Sequence, residues 1–99
     1  MDHSREAQQI LKAVRSNQFT LRDHASKRGA ERMLSRQNVV NVSNTVIEWK
    51  WQKDKQTHWF IGFLEDGLPG GFTAAIDNGV WIVTVFKRKL TKHEKELVK

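Results

Sequence analysis

The spacing of apolar residues changes once along this chain, close to Thr45, and this change is the strongest constraint on the fold. Before it, apolar residues recur at three- and four-residue steps, which is typical of amphipathic helices. After it, apolar and polar residues alternate, which is typical of strands buried on one face. The order predicts an α+β domain in which two or three N-terminal helices pack on a four-stranded antiparallel β-meander.

Three helical segments are predicted before the change of period. The first covers residues 4–16, and the second covers residues 23–34, where Gly29 weakens it by about 1 kcal/mol relative to alanine. Ser35 is a good N-cap for a third, short helix. The apolar positions of the first helix are Ala7, Ile10, Leu11 and Val14, and those of the third are Val39, Val40, Val42 and Val46.

Four strands are predicted after the change of period, and their bounds are residues 46–51, 58–64, 72–76 and 80–87. The tail, residues 91–99, fits either one or two helical turns or a frayed end.

The last two strands are joined by the strongest hairpin signal in the chain, Asn78-Gly79. Asn-Gly supplies the positive φ angles that a type I′ turn requires. We therefore expect residues 76–77 to pair with residues 80–81.

Three of the four tryptophans fall on the first two predicted strands. Trp49, Trp51 and Trp59 are therefore candidates for stacking exposed bases. A cross-strand aromatic cluster in the core, with all three on one sheet face, is the alternative and the simpler explanation.

Chain length and composition limit the possible classes of protein. The 99 residues suffice for a single domain, divided into an N-terminal helix (1–18), a core (19–88) and a basic tail (89–99). The absence of cysteine excludes a disulfide scaffold and a thiol nucleophile. The apolar runs are far shorter than the roughly 20 residues that span a bilayer, and the N-terminus is polar, so a cytoplasmic protein is expected.

The net charge of +6 is unevenly distributed. Residues 1–36 hold eight basic and four acidic side chains, residues 37–86 hold three and five, and residues 87–99 hold six and two. Two basic ends around a mildly acidic middle fit a face that binds phosphate or an acidic protein, although basic residues also serve solubility.

No metal or other cofactor is predicted. His3, His58 and His93 show no metal-ligand spacing with carboxylates. The glycines between residues 67 and 71 precede a predicted strand rather than a helix, which is unlike a phosphate-binding loop.

His24, Arg28 and Arg32 form the most reactive constellation in the sequence. At steps of four residues on a helix, they share one face and place an acid or base beside two cations. Metal-independent cleavage of RNA needs a proton acceptor for the 2′-hydroxyl and cations for the charge that develops on the phosphate. An exposed basic helix face, paired with nearby acids, is the alternative interpretation.

The stretch from His24 to Val39, HASKRGAERMLSRQNV, resembles the opening of an uncharacterised bacterial domain family that typically reads H-A-x-x-R-h-x-x-R-G-I-S-x-x-x-V. The late strand, VWIVTVF at residues 80–86, is similar to the closing segment of the same family. That family is placed among the RelE-like and barnase-like ribonuclease toxins. The resemblance covers about residues 19–88 and departs from the family pattern at Gly29 and Met33.

The resemblance implies helices before an antiparallel sheet, metal-independent cleavage of RNA, and an acidic antitoxin or immunity protein as partner. His24, Arg28 and Arg32 match the motif and are the implied catalytic residues. Thr84 matches as well, and its hydroxyl group would bond phosphate or the imidazole, although an ordinary strand residue is the alternative.

Basic residues that flank these segments are predicted to contact nucleic acid; they are Arg36, Lys87, Arg88 and Lys89. If the last strand is central, its end brings Lys87 or Arg88 to the region of Thr84. If it is an edge strand, these cations discourage pairing with other chains. The sequence thus predicts an RNA-directed domain that either cleaves RNA or serves as a non-catalytic module that binds nucleic acid or an acidic protein.

Overall fold

The computed structural model describes residues 3–22 and 36–97. Three helices and five strands lie within these residues. In chain order they are α1 (Ser4–Arg15), β1 (Thr20–Leu21), α2 (Arg36–Asn44), β2 (Glu48–Gln52), β3 (Thr57–Phe63), β4 (Pro69–Ile76), β5 (Val80–Lys87) and α3 (Lys92–Leu97).

The sheet has five strands in the order β1-β5-β4-β3-β2, and it is mixed rather than purely antiparallel. Strands β2 to β5 form the expected antiparallel meander. The short β1 pairs in parallel with β5, through Thr20 opposite Trp81 and Leu21 opposite Ile82. The prediction of an α+β domain is confirmed. The prediction of a four-stranded, purely antiparallel sheet is wrong by one parallel strand, β1, which was missed because two residues are too few to show a strand period.

The core lies between the two N-terminal helices, α1 and α2, and one face of the sheet, here called the inner face. Ile10 and Val14 of α1 and Val39 and Val42 of α2 are fully buried there. They pack with sheet residues that alternate along the strands, as the pleat requires, except where β5 has one extra residue between Ile82 and Thr84. These sheet residues are Phe60, Phe72, Ala74, Val80, Ile82 and Val85.

The first and third of the predicted helices are confirmed. Helix α1 matches the prediction over residues 4–16, and α2 matches the helix expected after Ser35. Helix α2 ends at Asn44, before Val46, where the Thr45 hydroxyl bonds the Asn41 carbonyl oxygen at 2.8 Å. The helix predicted over residues 23–34, and Ser35 itself, lie outside the described residues.

The β4–β5 hairpin has a three-residue turn, so the expected register is wrong by one position. Ile76 lies opposite Val80, and residues 77–79 form the turn, with positive φ angles at Asn78 (52°) and Gly79 (123°). A two-residue turn would place Asp77 opposite Val80. Directly opposed residues share a sheet face, so that register would bury a carboxylate beside a core valine.

Helix α3 begins with a capping box that the sequence contains as Thr-Lys-His-Glu. The Glu94 backbone N–H donates to the Thr91 hydroxyl at 3.2 Å, and the Thr91 N–H donates to the Glu94 carboxylate at 2.9 Å. The tail is therefore helical over Lys92–Leu97. Neither this helix nor the two earlier ones in the described part of the chain has the length and apolar character to cross a membrane.

Close packing between α2 and β3 depends on Gly62. A Cβ atom at this position would meet the Val42 carbonyl oxygen at 2.8 Å and the Thr45 hydroxyl at 2.9 Å. We expect Gly62→Ala to destabilise the fold by about 1–3 kcal/mol in urea unfolding, because backbone must move to admit the methyl group. Gly67→Ala is the matched control, since no atom lies within 4 Å of its Cβ position and only the φ of +86° opposes it. No measurable loss of stability for Gly62→Ala would contradict this account.

Candidate nucleic-acid interface

The face of the sheet opposite the core, here called the outer face, carries a row of directly opposed residues across four strands. Lys50 lies opposite Trp59, Trp59 opposite Thr73, and Thr73 opposite Thr84. Helices α1 and α2 pack on the inner face instead. Lys50 is exposed, Trp59 and Thr84 are half-buried, and Thr73 is buried, so the row is fully open only at Lys50 and partly open at Trp59 and Thr84.

Trp59 stands among one further aromatic ring and two cations. The Phe86 ring stacks at 6.5 Å between centroids with planes 16° apart. The Lys50 Nζ atom lies 5.7 Å from the indole centroid, and the Arg88 guanidinium carbon lies 4.9 Å from it. An aromatic surface and positive charge thus occur together, which is the pairing that single-stranded nucleic acids require.

A second aromatic side chain with a nearby cation, Trp81, lies on the same outer face, on β5 and two strands away from Trp59. The guanidinium of Arg22 lies 5.7 Å from the centroid of Trp81, whose indole N–H donates to the Asp77 carbonyl oxygen at 2.9 Å. Arg22 is exposed and continues directly from β1. Between this group and Trp59, the hydroxyl groups of Thr73 and Thr84 share a hydrogen bond of 2.6 Å.

Arg88 is held in place by α3, which lies at the outer face, since Glu94 also bonds Glu48 on that face. Its guanidinium forms an ion pair with Glu94, which is only 1% exposed. Burial favours the neutral form of Glu94, but hydrogen bonds from Glu48 and Thr91 and the charge of Arg88 hold the pKa of Glu94 below its ordinary value. The guanidinium is therefore fixed beside Trp59 rather than free to move.

The carboxyl group of Glu48 has a raised pKa, chiefly because it shares a hydrogen bond with Glu94 and secondly because it is partly buried. The charges of Lys50 and His93 oppose this shift. A raised folded-state pKa stabilises the fold below the ordinary value of 4.5, and this contribution is lost as the pH rises through the folded-state pKa.

We therefore expect Glu48→Gln, which keeps a donor for Glu94 without the charge, to raise stability at pH 7 by up to about 1 kcal/mol. The gain should shrink below pH 4.5, where the parent carboxyl group is neutral as well. Urea unfolding at pH 7 and pH 4 measures both values. A gain of equal size at the two pH values would contradict the shared hydrogen bond.

The three tryptophans on β2 and β3 do not share one face, so the predicted cluster is wrong. Trp49 lies opposite Phe60 and Trp51 opposite His58, both on the inner face, whereas Trp59 lies on the outer face. Sequence alternation assigns faces within a strand, but the pairing register that relates two strands depends on the turn between them. Here residues 53–56 form that turn, and Gln56 has a φ of 53°.

Of the four residues predicted to be catalytic, Thr84 alone lies within the described part of the chain. His24, Arg28 and Arg32 lie outside the described residues, so their roles stay predictions. Thr84 lies on the outer face within the row that contains Trp59.

Arg36 connects α2 to the loop after α1. It donates to the Asn17 side-chain and main-chain oxygens and to the Phe19 carbonyl oxygen, over distances of 2.9–3.2 Å, and lies 3.9 Å from the Phe19 ring centroid. These contacts account for Arg36 structurally.

The three basic residues at the end of the last strand and directly after it, residues 87–89, have different surroundings. Arg88 reaches the outer face beside Trp59. Lys87 lies 3.7 Å from the Asp66 carboxylate, in the β3–β4 loop. Lys89 lines a depression of about 440 Å³ whose floor is apolar and includes Leu68. Of the three, Arg88 alone lies against the aromatic surface.

A second group of reactive side chains lies on the inner face, where α1 meets β3. The imidazole of His3 bonds the Glu6 carboxylate at 2.6 Å and stacks on Trp51 with 4.0 Å between centroids. His58 is 1% exposed, and burial lowers its pKa, so the ring is neutral at pH 7. Sequence spacing did not indicate this group, because His58 comes from a distant strand.

Comparisons of this chain with protein-family models, with curated proteins and with solved structures find no match. The resemblance to ribonuclease toxins therefore stays an expectation, and the interpretation of the site rests on its own geometry.

Proposed function

We propose that this protein binds single-stranded RNA on the outer face of its sheet. The observation that carries the proposal is the Trp59 group, in which a half-buried aromatic ring on the outer face lies within cation–π distance of both Lys50 and Arg88. Bases have π-faces that stack on such rings, and the phosphate that follows each base needs a cation nearby.

The spacing of the two aromatic groups supports binding of more than one nucleotide. Trp59 lies on β3 and Trp81 on β5, with β4 between them. Neighbouring strands lie about 4.8 Å apart, so the two groups are separated by about 10 Å across the sheet. Trp59 lies opposite Thr73 and Trp81 opposite Ala75, so they are also about 7 Å apart along the strands. A single strand that crosses the sheet would stack one base on each ring and pass its backbone between Lys50, Arg88 and Arg22.

A duplex is a poorer fit than a single strand. Paired bases have no free faces for stacking, and duplexes are recognised through their grooves and backbone. On the outer face the aromatic and hydroxyl groups come from strands, and α3 lies at the end near Arg88. Single-stranded RNA is therefore the ligand that we propose, and a duplex of the same sequence is the comparison.

Cleavage of the bound RNA is a second candidate function, and one observation favours it. Thr84 lies on the proposed binding face, hydrogen-bonded to Thr73. Arg22, two residues before His24 in the sequence, lies on the same face beside Trp81. The described residue Arg22, just before the first resembling segment, and Thr84 of the second therefore lie on one surface.

A salt titration tests the binding proposal. Affinity for a fluorescent single-stranded oligonucleotide should fall steeply with salt, because each neutralised phosphate releases counterions. We expect Lys50→Gln and Arg22→Gln each to reduce the slope of log K against log[salt] by about 0.7. Lys12→Gln is the matched control, since Lys12 is an exposed cation on α1, in the layer behind the sheet, and should leave the slope unchanged.

Three outcomes would contradict the proposal. Equal slopes for the three variants would place the binding elsewhere on the basic surface. Preference for the duplex would argue against base stacking. Association with an acidic protein, and none with RNA, would favour the alternative in which the basic surface is an interface for a protein partner.

A further inference from the structure

We propose that His3, Glu6 and His58 form a binding site for a divalent transition-metal ion, with Zn²⁺ as the preferred occupant. One ligand atom from each of the three residues lies within 4.8 Å of the others. The site is distinct from the outer face, because His58 lies opposite the inner-face residue Trp51 and its ring contacts that of His3, which directly precedes α1.

The positions of the three groups suit a tetrahedral ion after small side-chain rotations. Zinc bonds to nitrogen and oxygen of about 2.0–2.1 Å place the ligand atoms about 3.4 Å apart. The His3 and Glu6 atoms are 2.6 Å apart and would separate slightly as the ion replaces their hydrogen bond. Three protein ligands leave a fourth position for an exchangeable water molecule.

His58 supplies the independent reason to expect a ligand. Its Nε2 atom is buried and has no hydrogen-bond partner among the described residues. Its Nδ1 atom accepts from the Trp49 indole N–H at 3.3 Å, a long hydrogen bond. A buried polar atom without a partner is costly, and a metal ion would satisfy it.

Ligation through Nε2 changes the surroundings of Trp49. It moves the ring proton of His58 to Nδ1, which then no longer accepts from the indole. Because Trp51 stacks on His3 as well, the site is bordered by two tryptophans that report on binding by fluorescence.

The donor set also selects the class of metal. Two imidazoles and one carboxylate favour zinc, cobalt, nickel or copper over magnesium and calcium, which prefer all-oxygen sites. The ion would join the first turn of α1 to β3, so binding should stabilise the folded chain by mass action.

Titration of the full chain without an affinity tag tests the proposal. We expect Zn²⁺ to bind with 1:1 stoichiometry in calorimetry, to change the tryptophan fluorescence and to raise the melting temperature. Mg²⁺ should produce none of these three effects. Co²⁺ in place of Zn²⁺ should give visible absorption bands typical of tetrahedral coordination. His3→Gln and Glu6→Gln should each weaken Zn²⁺ binding about tenfold or more.

His93→Gln is the control, because His93 is exposed on α3 and remote from the site. Both test variants change partly exposed side chains, so they should fold, and circular dichroism confirms this. Zinc binding that survives both of these substitutions, or that His93→Gln abolishes, would overturn the proposal. Absence of zinc binding to the folded parent at millimolar concentration would overturn it as well.

Discussion

Cleavage of single-stranded RNA is expected to fall about 10²- to 10⁴-fold when His24 is replaced by alanine, the usual contribution of a general acid or base. The affinity for RNA should stay close to that of the parent, because the proposed stacking groups lie on β3 and β5. Cleavage should be fastest near neutral pH, where imidazole titrates, and should persist with a chelator. Gel analysis of a labelled oligonucleotide measures the rate.

The control for this experiment is His93→Ala, which removes an exposed histidine from α3 and should cleave as fast as the parent. If the parent cleaves no RNA under these conditions, or His24→Ala cleaves equally well, the catalytic hypothesis is wrong. The protein is then better described as a binding module. Loss of cleavage in the presence of a chelator would instead connect catalysis to the His3, Glu6 and His58 site.

Trp59→Leu is expected to weaken binding of single-stranded RNA about five- to hundredfold, because stacking contributes about 1–3 kcal/mol per base. Leucine keeps an apolar side chain on the strand but removes the flat ring and its contacts with Lys50 and Arg88. Fluorescence anisotropy at fixed salt measures the affinity.

The matched control is Trp51→Leu, the same substitution on β2 and on the inner face. It should leave RNA affinity within about twofold of the parent. A larger loss of affinity for Trp51→Leu than for Trp59→Leu would place the RNA on the inner side of the sheet and contradict the proposal. The two variants thus separate a specific stacking role from a general loss of stability.

The helices and the strand meander could be predicted because each carries a local signal. The apolar stripe of α1 runs from Ala7 to Val14, about two helical turns, and β3 and β5 are runs of seven and eight residues rich in aromatic and β-branched side chains. The parallel strand β1 gave no such signal, since Thr20–Leu21 is too short and its partners lie 61 residues further along the chain. The start of α3 could also have been predicted, because Thr91 and Glu94 have the spacing of a capping box.

The candidate site depended on features that are not local. Thr84 and Arg88 were chosen from the sequence, and they lie on the outer face with Trp59. The importance of Trp59 itself was missed, because its face depends on the register between β2 and β3 rather than on alternation within either strand. The histidine and glutamate group was missed for a similar reason, since only the packing of α1 on the sheet brings His3 to His58.

The four indole N–H signals in a nitrogen-15 NMR spectrum test the central claim most directly. Trp59 and Trp81 lie on the outer face, and Trp49 and Trp51 lie on the inner face, so the sheet carries its own control. On addition of a single-stranded RNA oligonucleotide, we expect the signals of Trp59 and Trp81 to shift while those of Trp49 and Trp51 stay in place. Shifts confined to Trp49 and Trp51, or no shift of any of the four at saturating RNA, would contradict binding on the outer face.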